Sequence, residues 1–259
     1  MAMKNDHAAR FVTLEGIEGV GKSTQLKFIS DYLQKKGIAL TLTREPGGTA
    51  LAEAIRSLVL GSDFAPETII PETELLLFFA ARAQHIHYVI KPALQRGDWV
   101  LCDRFTETSY AYQGGGRGID PAFFCSLQIC IQLDLKFNAV LFLDAPVDIA
   151  LRRTHSRQQL DRIEAEKQDF FTRARASYLE RAKQMPDCYH IIDASRSLKD
   201  VQVQIKQVLD KLLAQWVQPD ESIPSAFAVA KRTMAAIVSG ASRSSFTACL
   251  IVARSSGFR

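Results

Sequence analysis

Residues 16–23 read GIEGVGKS and follow directly on the apolar run Phe11-Val12-Thr13-Leu14. Glycine, four residues, glycine, lysine and a hydroxyl side chain form the pattern of a loop that cradles phosphates. Such a loop turns consecutive backbone N–H groups inward, which requires glycine wherever a side chain would collide. Gly16, Gly19 and Gly21 supply that freedom. The arrangement works only between a buried strand and a helix whose positive N-terminus faces the anion, so the motif dictates a strand–turn–helix unit. Lys22 is then placed to bridge terminal phosphates, and Ser23 to ligate Mg²⁺. Gly16, Ile17, Glu18, Gly19, Val20, Gly21, Lys22, Ser23 and Thr24 form the expected ATP-binding segment.

The rest of the chain alternates strand-like and helix-like stretches. FVTLE (11–15) reads as a strand, followed by a helix from about Lys22 to Lys36 that ends at Gly37. ALTLTRE (39–45) is a second strand, after which Thr49 is the expected N-cap of LAEAIRSLVL, stopping at Gly61. Leu75, Leu76, Phe79, Ala83 and Ile86 recur at helical spacing and predict one helix from Glu72 to Arg96. WVLCD (99–103), AVLFLDA (139–145) and CYHIIDA (188–194) are apolar runs of strand length, and Leu198 to Trp216 closes the series as a helix. This order means an α/β fold: a five-stranded parallel sheet with helices on both faces.

Domain organisation follows from length and composition. The chain has 259 residues, 47% of them hydrophobic, enough for one well-filled core. The expected division is an arm at 1–10, one domain at 11–218, and a Ser- and Ala-rich extension at 219–259 that is poorly ordered. Five cysteines without CxxC spacing read as buried packing residues of a reducing compartment. MAMKNDHAAR has no apolar signal core, and no run of about 18 apolar residues occurs, so a soluble cytoplasmic protein with no membrane partner is expected. The net charge of +4 is mild, and the arginines gather in short segments instead of a stripe. That pattern suits a small anionic substrate and argues against a nucleic-acid partner.

Two further groups of residues specify the chemistry. Asp103 stands at the carboxyl end of a predicted buried strand, where ligands bind in open α/β sheets and where an acid can hold the Mg²⁺ shell. Arg104 follows it with a cation for the same crevice. RRTHSRQQLDR (152–162) carries four arginines in eleven residues with little apolar content, as a lid needs. An arginine closing on a travelling phosphoryl group contributes about 10³–10⁵ in rate, and a lid shuts out water. The loop, a second arginine site and an arginine lid point to transfer from ATP to an acceptor that is itself anionic, which is nucleoside monophosphate kinase chemistry.

Six stretches together resemble the bacterial thymidylate kinases: FVTLEGIEGVGKST (11–24), TREPGGT (43–49), FFAARAQ (78–84), DRFTETSYAYQGGGRGID (103–120), FLDAP (142–146) and LDRIE (160–164). The resemblance runs from about Phe11 to Val217, and TREPGGT with AYQGGGRG is far more specific than the phosphate loop. It implies a three-layer nucleoside monophosphate kinase fold with an arginine-rich lid at about 152–163, and phosphorylation of dTMP to dTDP by ATP with Mg²⁺. Phe78 would stack on thymine and Arg82, four residues later on the same helix face, would hydrogen-bond its exocyclic oxygen. Arg104 would hold the acceptor phosphate. Ser109, Tyr112 and Gln113 would border sugar and base, with Tyr112 crowding a ribose 2′-hydroxyl. Glu45-Pro46 matches the family's turn beside this pocket, where the proline bond is often cis.

Glu18 matches an acid kept near the metal and sugar. The loop carries no arginine at its variable positions, and members of that kind place the catalytic one in the lid. Arg157 is the first candidate and Arg153 the second; His155 departs from the Arg-x-Arg-x-Arg lid pattern. The resemblance also implies a homodimer packed through helices. Two lookalikes are set aside: His85-x-His87 points to different sides of a helix, and glycines 114–118, with no strand leading into them, read as a loop beside the acceptor site. The alternatives are a kinase for another pyrimidine monophosphate (dUMP, UMP or CMP) and a nucleotide-dependent switch without an acceptor pocket.

Overall fold

A computed structural model of the chain describes residues 8–61, 67–154 and 161–217. Five strands form one parallel sheet: β1 (Phe11–Glu15), β2 (Leu40–Arg44), β3 (Trp99–Asp103), β4 (Ala139–Asp144) and β5 (Tyr189–Asp193), in the order β2-β3-β1-β4-β5. Every residue of β1 is buried, and so are Trp99 to Cys102 of β3 and Ala139 to Leu143 of β4. Strands covered on both faces read as continuous apolar runs, which is how the sequence exposed them. The chain moves to one side of β1 for β2 and β3 and to the other for β4 and β5. Register pairs Leu14 with Asp103 on one side and with Leu141 on the other, so the phosphate loop leaves β1 level with the tip of β3. That crevice at the carboxyl ends, where strand order reverses, is the binding position of an open α/β sheet.

The helices are α1 (Lys22–Lys35), α2 (Ala50–Leu60), α3 (Pro71–His85), α4 (Lys91–Gln95), α5 (Thr106–Ser109), α6 (Pro121–Gln132), α7 (Val147–Thr154), α8 (Gln168–Gln184) and α9 (Leu198–Val217). Thr49 caps α2 as its sequence demands, its hydroxyl accepting from the Ala52 N–H at 3.1 Å. The single helix expected over 72–96 is interrupted. A π-helical turn, Ile86–Ile90, lies between α3 and α4. Pro92 has no N–H to donate back into that turn, and the wider turn still buries Ile86 and Ile90 against Phe11, Val100 and Phe105.

Glycines 114–118 are a second correction. They do not form a simple loop: Tyr110–Gly116 is π-helical and packs on α8. A Cβ on Gly115 would stand 1.9 Å from the Ser177 hydroxyl, and one on Gly116 2.4 Å from the Phe170 ring. These glycines serve a close approach between helices. The cysteines also differ from expectation, since of those described only Cys102 is buried, and Cys130 on α6 is exposed. No helix of the described residues is long and apolar enough to cross a membrane.

Candidate active site

The phosphate loop adopts its shape through left-handed glycines, Gly19 at φ 77° and Gly21 at φ 90°. Gly19 lies against α7, where a Cβ would meet the Ala150 carbonyl at 1.9 Å. Ile17 and Val20 bury their side chains, so what they offer a ligand is backbone. Lys22 folds back, its Nζ donating to the carbonyls of Gly16 at 2.9 Å and Ile17 at 2.8 Å. Ser23 and Thr24, the next residues of α1, are exposed at the mouth of the loop.

Arg104 joins this loop to the second site. It is the residue after β3 and takes φ 68°, a left-handed conformation rare for a side chain of its size. The turn throws its guanidinium back over the loop, where it donates to the Gly16 carbonyl at 3.1 Å, pairs with Glu18 and lies 5.2 Å over the Tyr112 ring. Tyr112 also donates its hydroxyl to Glu18. Burial works against the charge of each group, yet the mutual attraction holds Arg104 well above its usual range and Glu18 below its own.

The cationic groups of the site crowd one another. Burial, with Arg104 next in weight, pushes Lys22 down to about 8. Burial and the neighbouring Arg44 and Arg104 lower Arg56, which lines the same cavity and donates to the Pro46 carbonyl. Positive charges that depress each other's proton affinity are poised for an anion between them.

The acceptor-side residues named from the sequence come together in the same cavity, about 240 Å³ in volume. Phe78 and Arg82, one turn apart on α3, both face it, and so do Glu45 and Pro46, whose peptide bond is cis. Arg82 is fully enclosed: Nε donates to Glu45 at 2.7 Å, Nη2 to Ser109 at 3.0 Å and to the Phe105 carbonyl at 3.2 Å. Its remaining nitrogen, Nη1, is buried with no hydrogen-bond partner among the described residues. Gln113 donates its amide to Glu74 at 2.7 Å, leaving Oε1 buried and equally unpartnered. Buried polar atoms left this way in a cavity wall call for a ligand. Asp103 Oδ1, at the tip of β3, is a third such atom.

His85 is no metal ligand; it bonds Glu45 through Nδ1 and Thr43 through Nε2. Among the described residues no cluster of three or more His, Cys, Asp or Glu side chains could hold an ion unaided.

Arg157 and His155 lie outside the described residues. Arg153, in the last turn of α7, donates to the Ala194 carbonyl at 2.9 Å and is not among the residues lining the cavity. Three features were not assigned to the site from the sequence. Arg56 is the one cation of a mostly apolar helix, a signal that could have been read. Glu15 is buried beneath the site, accepting from the Phe105 N–H and from the hydroxyls of Thr108 and Tyr178. The turn at Asp161, Ile163 and Glu164 borders the cavity mouth.

Comparisons with known proteins agree with this fold. The family model described as thymidylate kinase matches residues 14–205. The chain is 51% identical over 203 residues to a thymidylate kinase of Vesicomyosocius okutanii, covering 78% of this chain and 98% of the relative. It is 52% identical over 209 residues to that of Chromohalobacter salexigens, covering 80% of this chain and 98% of the relative. Among solved structures, a thymidylate kinase from Ehrlichia chaffeensis superposes with a TM-score of 0.63 at 31% identity, covering 78% of this chain and 99% of that one. With the family model spanning residues 14–205 and relatives about half identical over nearly their whole length, the chain belongs to the thymidylate kinase family.

Proposed function

We propose that this protein transfers the γ-phosphoryl group of ATP to dTMP, giving dTDP. The observation that carries the reading is that the loop lysine, Arg104 and the Phe78–Arg82–Gln113 wall share one cavity. A switch needs no such wall. The two unpartnered atoms of that wall also have a sense. Arg82 Nη1 is a donor and Gln113 Oε1 an acceptor. Thymine and uracil offer the complement, an exocyclic oxygen beside a ring N–H, whereas cytosine offers an amino group beside an unprotonated nitrogen and is opposed at both atoms.

There is little covalent chemistry for the chain to perform, so positioning and charge do most of the work. Lys22 would leave the loop carbonyls for the donor phosphates. Arg104 and Arg56 would hold the acceptor phosphate in line with them. The buried Tyr112, fixed by Glu18, would crowd a 2′-hydroxyl. Arg157, or failing that Arg153, would neutralise charge on the transferred group. The residues present suit Mg²⁺ bound mainly through nucleotide phosphates and water, with the Ser23 hydroxyl and the unpartnered Asp103 oxygen as the protein's share. When bound, the ion supplies charge neutralisation at the donor phosphates.

The reading extends to a cytoplasmic homodimer acting on small molecules alone, with residues 11–218 as the catalytic domain. A dimer is supported by Leu76 on α3 and Phe123 and Ile129 on α6, exposed apolar side chains on two helices packed together through Leu75, Phe79 and Phe124.

A coupled assay with dTMP, dUMP, UMP and CMP tests the reading. The expected order is dTMP first, dUMP within about 10–200-fold because one methyl group is worth about 1–3 kcal/mol, and CMP and UMP far behind. ATP hydrolysis that no monophosphate accelerates would overturn it in favour of a switch.

A further inference from the structure

We infer that Glu74 is the residue that sets which base this pocket accepts, although it does not line the pocket. The inference rests on the acceptor reading above. Glu74 lies on α3, is fully buried, and receives donors from three directions: Gln113 Nε2 at 2.7 Å, Arg117 through Nε at 3.3 Å and Nη2 at 3.2 Å, and Arg162. Burial works against its charge, but the hydrogen bond from Gln113 and the two guanidiniums hold the carboxyl below its usual range. It is ionised at neutral pH.

An ionised carboxylate can only accept. The Gln113 amide therefore has one sense available: nitrogen toward Glu74, carbonyl oxygen away from it. Oε1 is the atom of Gln113 that finds no partner, and Gln113 lines the acceptor cavity. A residue one step removed from the ligand thus decides that the pocket presents an acceptor. The division of labour on Glu74 sharpens this. Oε2 takes Nη2 of Arg117 and Arg162, while Oε1 takes Gln113 and the longer contact from Arg117 Nε. The arginines hold the carboxylate in place, and one oxygen is left to orient the amide.

Glu74→Gln tests the assignment. The two arginines keep the remaining oxygen on their side, so the new NH₂ faces Gln113 and turns its carbonyl inward. The pocket then presents a donor. kcat/KM for dTMP is expected to fall on the order of tenfold to a hundredfold, mostly through KM, and the dCMP-to-dTMP ratio to rise at least about tenfold. A loss of structural support alone would lower both substrates together and leave the ratio unmoved.

The double variant Glu74→Gln with Gln113→Glu restores an acceptor facing the base and is expected to return the dTMP preference to within about threefold of the parent. A Glu74→Gln protein that melts as the parent does and keeps its ratio within about twofold overturns the inference. If that variant does not fold, the double variant decides: folding with the preference restored supports it, and folding without the preference overturns it. Failure of both to fold makes Glu74 a structural anchor and overturns it as well. A parent protein that does not phosphorylate dTMP would instead sink the acceptor reading, which keeps the two failures distinct.

Discussion

Lys22 shows how a single side chain is prepared for its ligand. Its ammonium is held between two loop carbonyls while burial and Arg104 weaken its hold on the proton, to about 8. The free protein therefore keeps this charge at neutral pH and loses it as pH rises through about 8. A polyphosphate bound beside it favours the charged form and takes the value back up. ATP affinity of the free protein is expected to weaken by several-fold between about pH 7 and 9, with proton uptake on binding at the upper end. Calorimetry in buffers of different ionisation heat reads both, and a flat affinity with no linked proton would refute the assignment. Arg56 and Arg104 line the same cavity, and Arg104 lies over the loop through a left-handed backbone. No local rule assigns that conformation to an arginine.

Among the elements, the π-helical segment Tyr110–Gly116 and α8 depend on each other most closely. Tyr112 packs edge-on against Phe170 at 5.5 Å while Gly115 and Gly116 let the α8 side chains approach the backbone. The same segment carries Tyr112 and Gln113 into the cavity. Gly116→Ala would press a methyl group onto the Phe170 ring. The expected cost is about 1–3 kcal/mol, as for other overpacked cores, seen as a lower urea midpoint. Because the strain falls on the segment bearing Tyr112 and Gln113, KM for dTMP is expected to rise as well. An alanine variant with parent stability and parent KM would show that the contact is slack. The run AYQGGGRG was informative as a family likeness, but its helical character was not legible. Glycine-rich composition ordinarily marks a turn, and only the nearness of α8 explains it here.

Across the whole molecule, stability is tied to pH through Glu15. Burial beneath the crevice, against the opposing pull of hydrogen bonds from Thr108 and Tyr178 and of Arg104, pushes this carboxyl up from 4.5 to about 7. The native state then holds a proton that the unfolded chain releases. Between pH 4.5 and 7 the contribution to stability falls as pH rises, by about 1.4 kcal/mol per unit at most and about 3 kcal/mol in all. Glu15→Gln is expected to flatten that part of the stability profile in denaturant melts from pH 4.5 to 8. An unchanged slope would place the proton elsewhere.

Strand and helix order, the phosphate loop and the family motifs were legible in the chain itself, because buried parallel strands are mostly apolar and phosphate cradles need glycine at fixed spacing. What the tertiary structure alone decided was pairing across distance. Glu74 meets Gln113, Arg117 and Arg162, Arg82 meets Glu45, and Arg104 meets Glu18, all from segments far apart in sequence. Local patterns report what a residue can do. Which buried atom is left without a partner, and so waits for a ligand, depends on which neighbours the fold brings to it.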